Sequence, residues 1–225
     1  SATNGFVVKN GSGSGTNVGS SGSQNIVAWC WDAGSSTVTN NSGSSTSTVR
    51  ANTAAGFSIV KYSPNGNAQT IGHGLGGVPE MIIVKNTEHS YDWYVYHKDL
   101  DATIPQNKFV KLNDYSSVSD SANAWNDTAP TSTVFSVKGG PTAYQYAVHI
   151  AYCFRSIEGY SALGKYVGNN NANGPFVYTG FRPAFILTKG IDDGEDWYIR
   201  DTARSPHSAV STSLRPDDGG SDYSG

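Results

Sequence analysis

Four acidic side chains lie close together in the sequence, at a spacing that could serve acid–base chemistry or calcium binding. They are Asp192, Asp193, Glu195 and Asp196. The Asp193-Gly194 pair predicts a tight turn between two strands, where solvated carboxylates are common. We therefore predict no catalytic residue and no metal site, and we expect the chain not to be an enzyme. Calcium ligation by Asp192, Asp193 and Glu195 is the alternative, because calcium takes several oxygen ligands.

Aromatic side chains offer a second kind of chemistry, because sugars stack on Trp and Tyr rings while polar groups bind their hydroxyls. Trp93 and Trp197 each follow an Asp and precede a Tyr. Side chains alternate between the two faces of a strand, so we expect these Trp rings in the core and their neighbours outside. The candidate glycan-binding residues are then Tyr94, Tyr96, Tyr198 and Arg200, with Trp125 from a turn-rich stretch.

Histidine and cysteine give little indication of further chemistry. The five histidines form no pair at the short spacings typical of metal ligands. Cys30 and Cys153 are too few for a disulfide scaffold, and we interpret both as buried thiols. The Gly-rich segment 72–77 has no lysine at P-loop spacing. We therefore expect no cofactor.

Composition and charge exclude two classes of partner. Only 15% of the 225 residues are charged, and the net charge is −3. Nucleic-acid binding requires clustered Lys and Arg, which this composition does not supply. No apolar run approaches the roughly 18 residues of a membrane span. We expect binding neither to nucleic acid nor within a membrane.

The pattern of apolar residues is that of strands and turns throughout. Short apolar runs recur between clusters of Gly, Asn, Ser and Pro, and no helical period persists. Strands are predicted in the runs 25–31, 56–62, 81–85, 92–96 and 185–189. The predicted fold class is all-β, with antiparallel sandwich-like or jelly-roll-like units.

An internal repeat organises these strands into two related units in tandem. At a shift of 104 residues, twelve positions between Lys61 and His97 are identical, including Asp92-Trp93-Tyr94 on Asp196-Trp197-Tyr198. A gapless match of this length indicates duplication.

A second match, at a shift of 123 residues, relates the ends of the two repeats. Ala28-Trp29-Cys30-Trp31 then aligns with Ala151-Tyr152-Cys153-Phe154. The difference between the shifts falls in the Ser/Thr/Gly-rich stretch 35–55, which we interpret as a linker or long surface loop. Residues 1–34 are then the C-terminal part of one repeat, 56–157 a complete unit, and 158–225 the N-terminal part of another. The partial units pair with each other, are completed by a neighbouring chain, or belong to a longer array.

Seven short motifs follow one another in a fixed order along nearly the whole chain. They are VAWCWDAG (27–34), GFSIV (56–60), GHGLG (72–76), VPEMIIVKN (78–86), DWYVYH (92–97), WNDTAPTS (125–132) and GPFVYTGFRP (174–183). This series resembles a repeat family of bacteriophage tail-fibre and virion structural proteins, notably of marine phages. The resemblance implies a β-rich fibre or spike module, often beside lectin-like sandwich domains, on the particle surface or tail and therefore extracellular. It implies no established catalytic residues.

These observations lead to one expected function and two alternatives. We expect a non-enzymatic structural or adhesive module of a phage virion, such as a tail fibre, spike or decoration protein, that contributes to host attachment. Its partners would be further copies of itself, as in a trimer, other virion proteins and a host surface glycan. The first alternative is a carbohydrate-binding module for host glycans, and the second is a glycan depolymerase.

Overall fold

The computed structural model describes residues 5–8, 28–203, 212–218 and 223–224. The chain divides into two compact units, residues 1–31 and 32–225. In the first unit the described residues, 5–8 and 28–31, contain no strand. The strand expected over 25–31 is therefore not formed at Ala28–Trp31, and its first three residues lie outside the described residues.

The second unit is built on one large antiparallel sheet of eight strands. Their spatial order is β1-β2-β3-β10-β5-β6-β7-β8. The long central pairings are β3 with β10 and β10 with β5, each six residues in register. The strand bounds are β1 Thr37–Asn40, β2 Ser47–Asn52, β3 Phe57–Tyr62, β5 Met81–Asn86, β6 Tyr94–His97, β7 Lys108–Lys111, β8 Ser119–Asp120 and β10 His149–Phe154, with β4 and β9 defined below.

Three two-stranded antiparallel sheets accompany the large one. They are β4 (Ala68–Gly72) with β9 (Val134–Lys138), β11 (Phe185–Lys189) with β12 (Trp197–Asp201), and β13 (Thr212–Ser213) with β14 (Tyr223–Ser224). Short 3-10 turns occur at Pro105–Asn107 and Gly140–Thr142. No helix among the described residues has the length and apolar character needed to cross a bilayer.

Both faces of the large sheet are buried. On one face, Ile82 and Val84 pack with Ile71 of β4 and Phe135 of β9. On the other face, a second cluster contains Ile83, Val95, Val110 and Trp197, the last from β12. This layering confirms the predicted all-β, antiparallel, sandwich-like class, because each face of the sheet needs a covering layer to exclude water.

The stretch 35–55, expected to be a linker or long surface loop, is instead part of the large sheet. It forms β1 and β2, which pair with each other, and β2 also pairs with β3. Ser47 and Val49 are buried on the same side of β2 while Thr48 and Arg50 are exposed. Small polar and β-branched residues in strict alternation fit a pleated strand, and the low hydrophobicity of the stretch conceals that pattern.

The two hairpins that the 104-residue shift aligns have the same strand pairing. Ile82 lies opposite Tyr96 in the β5–β6 hairpin, and Ile186 lies opposite Arg200 in the β11–β12 hairpin. Every register pair of the first hairpin maps onto a pair of the second at the 104-residue shift. Since a slip of one residue would turn every side chain to the opposite face, the two hairpins share their inward and outward positions.

The two cysteines occupy different environments. Cys153 in β10 is fully buried, as predicted, and burial raises the pKa of its thiol to about 12. Cys30 is exposed, so the expectation that it is a buried thiol is wrong. It lies in the stretch Ala28–Trp31, which has no strand structure to bury alternate side chains.

Candidate functional site

Two of the aromatic residues predicted to bind glycans lie in the core. Tyr96 and Trp125 are buried and meet edge to face, with ring centroids 5.7 Å apart. The Trp125 indole N–H donates to the backbone carbonyl of Lys108 at 3.0 Å. The structure does bring these two rings together, but with no surface for a ligand, so the prediction that they are exposed is wrong.

The error has a physical cause in the layering of the sheet. We expected one face of β6 to be solvated, as in many antiparallel sheets. Here β4–β9 covers the face that carries Tyr94 and Tyr96, and Tyr94 packs on Phe109 at 4.7 Å. Trp93, expected in the core, is only partly buried. Trp197 is buried as predicted.

Tyr198 and Arg200 lie on β12 and are both partly buried. The Tyr198 ring has two guanidinium groups near it, those of Arg200 at 5.4 Å and Arg215 at 5.5 Å. Arg215 also forms an ion pair with Asp196 at 2.8 Å. These cation–π contacts occupy the face of the Tyr198 ring that a sugar would need. We therefore interpret Tyr198 and Arg200 as part of a structural cluster.

The carboxylates considered as calcium ligands lie on the turn between β11 and β12. Asp192, Asp193 and Glu195 are exposed in the β11–β12 loop, where the Glu195 N–H donates to the Asp193 carbonyl at 2.9 Å. Within the described part of the chain, no group of three acidic, histidine or cysteine side chains is arranged to hold a metal ion. The three carboxylates lie on a solvent-exposed turn.

An exposed cluster of aromatic rings lies instead where two loops meet. His89 and Tyr91 come from the β5–β6 loop, and Tyr144 comes from the loop before β10. The ring centroids are 4.5 Å apart for His89 and Tyr144, 5.4 Å for Tyr91 and Tyr144, and 6.2 Å for His89 and Tyr91. We call these three residues the aromatic patch. Three mutually contacting rings outside a core form a ready platform for stacking.

A buried polar pair fixes both loops at their base. The Asn86 amide nitrogen lies 3.2 Å from His149 Nε2, and His149 Nδ1 lies 2.9 Å from the Ala147 carbonyl. The Asn86 side-chain oxygen accepts the N–H groups of Glu88 and His89 at 2.9 and 2.8 Å. Nε2 of His149 also lies 3.2 Å from the Pro141 carbonyl oxygen. Burial lowers the pKa of His149, which favours a neutral ring between these partners.

Buried side chains also fix the position of the loop that carries Tyr144. Tyr62 stacks on His149 with ring centroids 5.3 Å apart, and its hydroxyl donates to the Thr142 carbonyl at 2.8 Å. The Thr142 hydroxyl in turn donates to the Ala124 carbonyl at 2.6 Å. Each of these groups is buried, which makes their loss costly. The aromatic patch therefore rests on rigid elements.

Tyr146, two residues beyond Tyr144, has an unusual backbone. Its φ is +62°, a left-handed conformation that bulky residues rarely adopt. Its N–H donates to the Pro64 carbonyl at 2.8 Å, while its side chain is 75% exposed. A strained residue that holds a large ring in solvent is typical of binding loops.

Lys85 links the aromatic patch to Trp93, which packs against the second core cluster. Lys85 donates to the Tyr91 carbonyl and lies 5.9 Å from the Trp93 ring. Trp93 stacks on Tyr152 of β10 at 6.3 Å. Exposed Glu88 and Gln145 flank the aromatic patch. Stacking faces beside hydrogen-bonding side chains are the chemistry by which proteins hold sugars.

A polar cleft lies elsewhere in the second unit. Its volume is about 490 Å³, and Asp32, Ser36, Asn52 and Thr53 are among the residues that line it. Asp32 accepts the N–H of Gly34 at 2.7 Å and the Asn52 amide at 3.3 Å. None of the described residues that line the cleft is aromatic, so they offer hydrogen bonds without a stacking face, and the aromatic patch is the better candidate.

Sequence reasoning missed the aromatic patch because its members are far apart along the chain. The pairing of β5 with β10 places the β5–β6 loop beside the loop that precedes β10. A usable signal was present in the Tyr144-Gln145-Tyr146 run, which closely follows the turn residues Gly139-Gly140-Pro141. Exposed tyrosines in such a loop are candidates for binding.

Comparisons with known proteins give one match. A family model described as a domain of unknown function, DUF7483, matches residues 1–225. No curated protein and no solved structure matches. Since the match spans the full sequence, the chain belongs to the DUF7483 family.

Proposed function

We propose that this chain is a non-enzymatic adhesive module of a phage virion, part of a tail fibre, spike or decoration protein, that contributes to attachment to the host surface. The aromatic patch is the observation that carries the adhesive part of the proposal. The resemblance of the motif series to phage structural repeats supports the virion part. The ligand class that fits the aromatic patch best is a surface carbohydrate.

The chemistry of the aromatic patch favours sugars over other small ligands. The Tyr144 ring is 40% exposed and is braced by His89 and Tyr91. An apolar sugar face stacked on Tyr144 would leave its hydroxyls near Gln145 and Glu88. Each aromatic contact contributes about 0.5–1.5 kcal/mol, so one site binds weakly. Several copies on one particle would raise the overall avidity by orders of magnitude.

A glycan array probed with the chain tests the adhesive part. Tyr144→Ala removes the central ring, and we expect apparent affinity for the bound glycans to fall at least tenfold, about 1.4 kcal/mol. Tyr115→Ala is the matched control, because Tyr115 is 64% exposed and lies outside the aromatic patch. Equal binding by both variants and the parent chain would contradict the assignment of the site.

Immunogold labelling tests the virion part separately. An antibody raised against the chain should decorate the tail or surface of purified particles of the phage that encodes it. Antigen found only in the particle-free fraction of the lysate would overturn this part. The glycan result would then favour the second candidate, a carbohydrate-binding module outside the virion, which the same aromatic patch supports.

A further inference from the structure

Three loops lie side by side at one end of the large sheet. The strand order β3-β10-β5 puts β10 in the middle. His149, the first residue of β10, lies opposite Tyr62, the last residue of β3, and opposite Asn86, the last residue of β5. Neighbouring strands are about 4.8 Å apart, so these strand ends form a row about 10 Å wide. The β3–β4 loop (63–67), the loop before β10 (139–148) and the β5–β6 loop (87–93) therefore meet along this row.

The run 144–146 in the middle loop reaches both of its neighbours. Tyr144 belongs to the aromatic patch, on the side of the β5–β6 loop. On the other side, the Tyr146 N–H donates to the Pro64 carbonyl of the β3–β4 loop at 2.8 Å. A Cβ added at Gly66 would lie only 3.2 Å from Cβ of Gln145, so that loop packs closely on the run. The surface of the aromatic patch thus extends to the β3–β4 loop.

Tyr146 supplies a second aromatic ring on this extended surface. It is 75% exposed, against 40% for Tyr144. Its left-handed φ of +62° costs free energy in a residue with a Cβ. The hydrogen bond to Pro64 explains the backbone conformation, but it does not explain a large ring at an exposed position. Contact with a ligand does explain it, since an exposed Tyr presents a face for stacking.

The exposed polar side chains of the three loops are mostly uncharged. They are Ser63, Asn65, Asn67 and Gln145, with Glu88 as the exposed carboxylate. Amide side chains both donate and accept hydrogen bonds, as the hydroxyls of sugars do. All residues of the three loops are described, and none is Lys or Arg. An acidic sugar would therefore meet Glu88 without a lysine or arginine from these loops to compensate, so the surface favours a neutral sugar.

We propose that this surface binds a neutral oligosaccharide at two stacking positions, one on Tyr144 and one on Tyr146. Gln145, between the two rings in sequence, and Asn65 of the neighbouring loop bind the hydroxyls. The inference rests on the proposed glycan-binding function and adds the length and the charge of the ligand. The row of strand ends is wider than one sugar ring, so a monosaccharide fills one position and a longer glycan fills both. Two linked contacts bind more tightly than one.

A ladder of glycans tests the length of the ligand and the second ring together. The probes are an array of neutral homo-oligomers of glucose, galactose, mannose and N-acetylglucosamine, from the monosaccharide to the hexasaccharide. We expect the apparent affinity of the parent chain to rise about two- to tenfold from monosaccharide to trisaccharide, the gain from one further ring contact. Tyr146→Ala should abolish this rise and leave monosaccharide binding unchanged. Tyr144→Ala should weaken binding at every length.

Further variants show whether the ring of Tyr146 is responsible. Tyr146→Phe keeps the ring and should bind like the parent chain. Tyr146→Asn has no ring but suits the left-handed backbone, so it should lose the rise with length even if the Ala variant folds poorly. Tyr160→Ala is the matched control, because Tyr160 is 61% exposed and lies outside the three loops. Thermal unfolding of each variant confirms that it is folded.

The outcomes distinguish this inference from the function on which it rests. A rise with length that persists in Tyr146→Ala and Tyr146→Asn, or an affinity of the parent chain that does not change with length, would overturn the second stacking position. Weaker binding by Tyr144→Ala would in that case still support the proposed function. Tighter binding of uronic-acid or sialic-acid oligomers than of neutral ones of equal length would overturn the neutral class. If the parent chain bound no glycan of any length, both proposals would fail.

Discussion

The β5–β6 loop and the β11–β12 loop join hairpins of identical register but carry different chemistry. At the 104-residue shift, His89 corresponds to Asp193 and Tyr91 to Glu195. The first loop contributes two rings of the aromatic patch, whereas the second is a solvated acidic turn. Both repeats have a Trp at the start of the second strand of the hairpin. Trp197 is the first residue of β12, and Trp93 immediately precedes β6.

In both repeats the hairpin serves as a scaffold, and the loop between its strands carries the specific chemistry. Trp197 is buried and its indole N–H donates to the Lys111 carbonyl at 2.7 Å. Trp93 is partly exposed and stacks on Tyr152. One repeat therefore uses its Trp to fasten a covering layer, and the other uses it beside the aromatic patch. Loops that vary on a fixed frame are where binding function usually lies.

Replacement of the two tryptophans should lower the stability of the chain by very different amounts. Trp197→Ala should lower the free energy of unfolding by about 3–5 kcal/mol, because it empties a packed site and orphans a carbonyl. Trp93→Ala should cost only about 1–2 kcal/mol, because its ring is only partly buried. Urea denaturation followed by circular dichroism measures both. An equal or larger loss for Trp93→Ala would show that the two Trp rings do not play different roles.

The pH dependence of stability should reflect three histidines of the scaffold whose burial disfavours the protonated ring. Burial is the leading cause that lowers the pKa of His73, His97 and His149 below the ordinary 6.5. The unfolded chain therefore binds these protons more readily, so their stabilising contribution is complete above pH 6.5 and is lost as pH falls below it.

The expected result is a Tm that drops by about 2–4 °C between pH 7.5 and pH 5.5, equivalent to roughly 1 kcal/mol for a chain of this size. Differential scanning calorimetry measures it. His149→Gln should flatten this drop, while Glu158→Gln, at an exposed position away from the buried histidines, should leave it unchanged. A Tm that rises toward pH 5.5 would contradict the assignment of neutral buried rings.

The smallest effect is expected in the acidic loop. Asp193→Asn combined with Glu195→Gln should change the free energy of unfolding by less than about 0.5 kcal/mol, because both side chains are exposed and their backbone turn is untouched. Thermal unfolding with and without 1 mM calcium is the measurement. A calcium-dependent rise in Tm that disappears in the variant would restore the calcium hypothesis.

Local patterns were sufficient to predict the hairpins. Short apolar runs in Met81–Asn86 and Phe185–Lys189, together with the repeat, predicted strands that the structure confirms. The alternation in β6 misplaced Tyr96, and the turn-rich sequence around Trp125 misplaced that residue, because the burial of both depends on β4–β9, which lies across the sheet. A strand pattern states which residues share a face, and distant elements decide whether that face meets water.

The aromatic patch lay beyond prediction for a related reason. Tyr144 reaches His89 only because β10 inserts between β3 and β5, an order that a single sequence does not specify. The stretch 35–55 failed through composition, since alternating Ser, Thr and Val there look like a linker until their burial is seen. The aromatic patch was therefore not predicted because it depends on pairing between strands that are distant in the sequence. The strands β1 and β2 were not predicted because their residues are only weakly hydrophobic.

Exchange of the β5–β6 loop for the β11–β12 loop tests directly whether the β5–β6 loop carries the glycan-binding chemistry. Replacing residues 88–91 (Glu-His-Ser-Tyr) by residues 192–195 (Asp-Asp-Gly-Glu) exchanges the aromatic loop for the acidic one on a hairpin of the same register. The measurement is glycan-array binding of this chimera beside the parent chain, with circular dichroism to confirm folding. We predict a folded chimera whose glycan binding is at least tenfold weaker. A folded chimera that binds the same glycans with undiminished affinity would contradict the account.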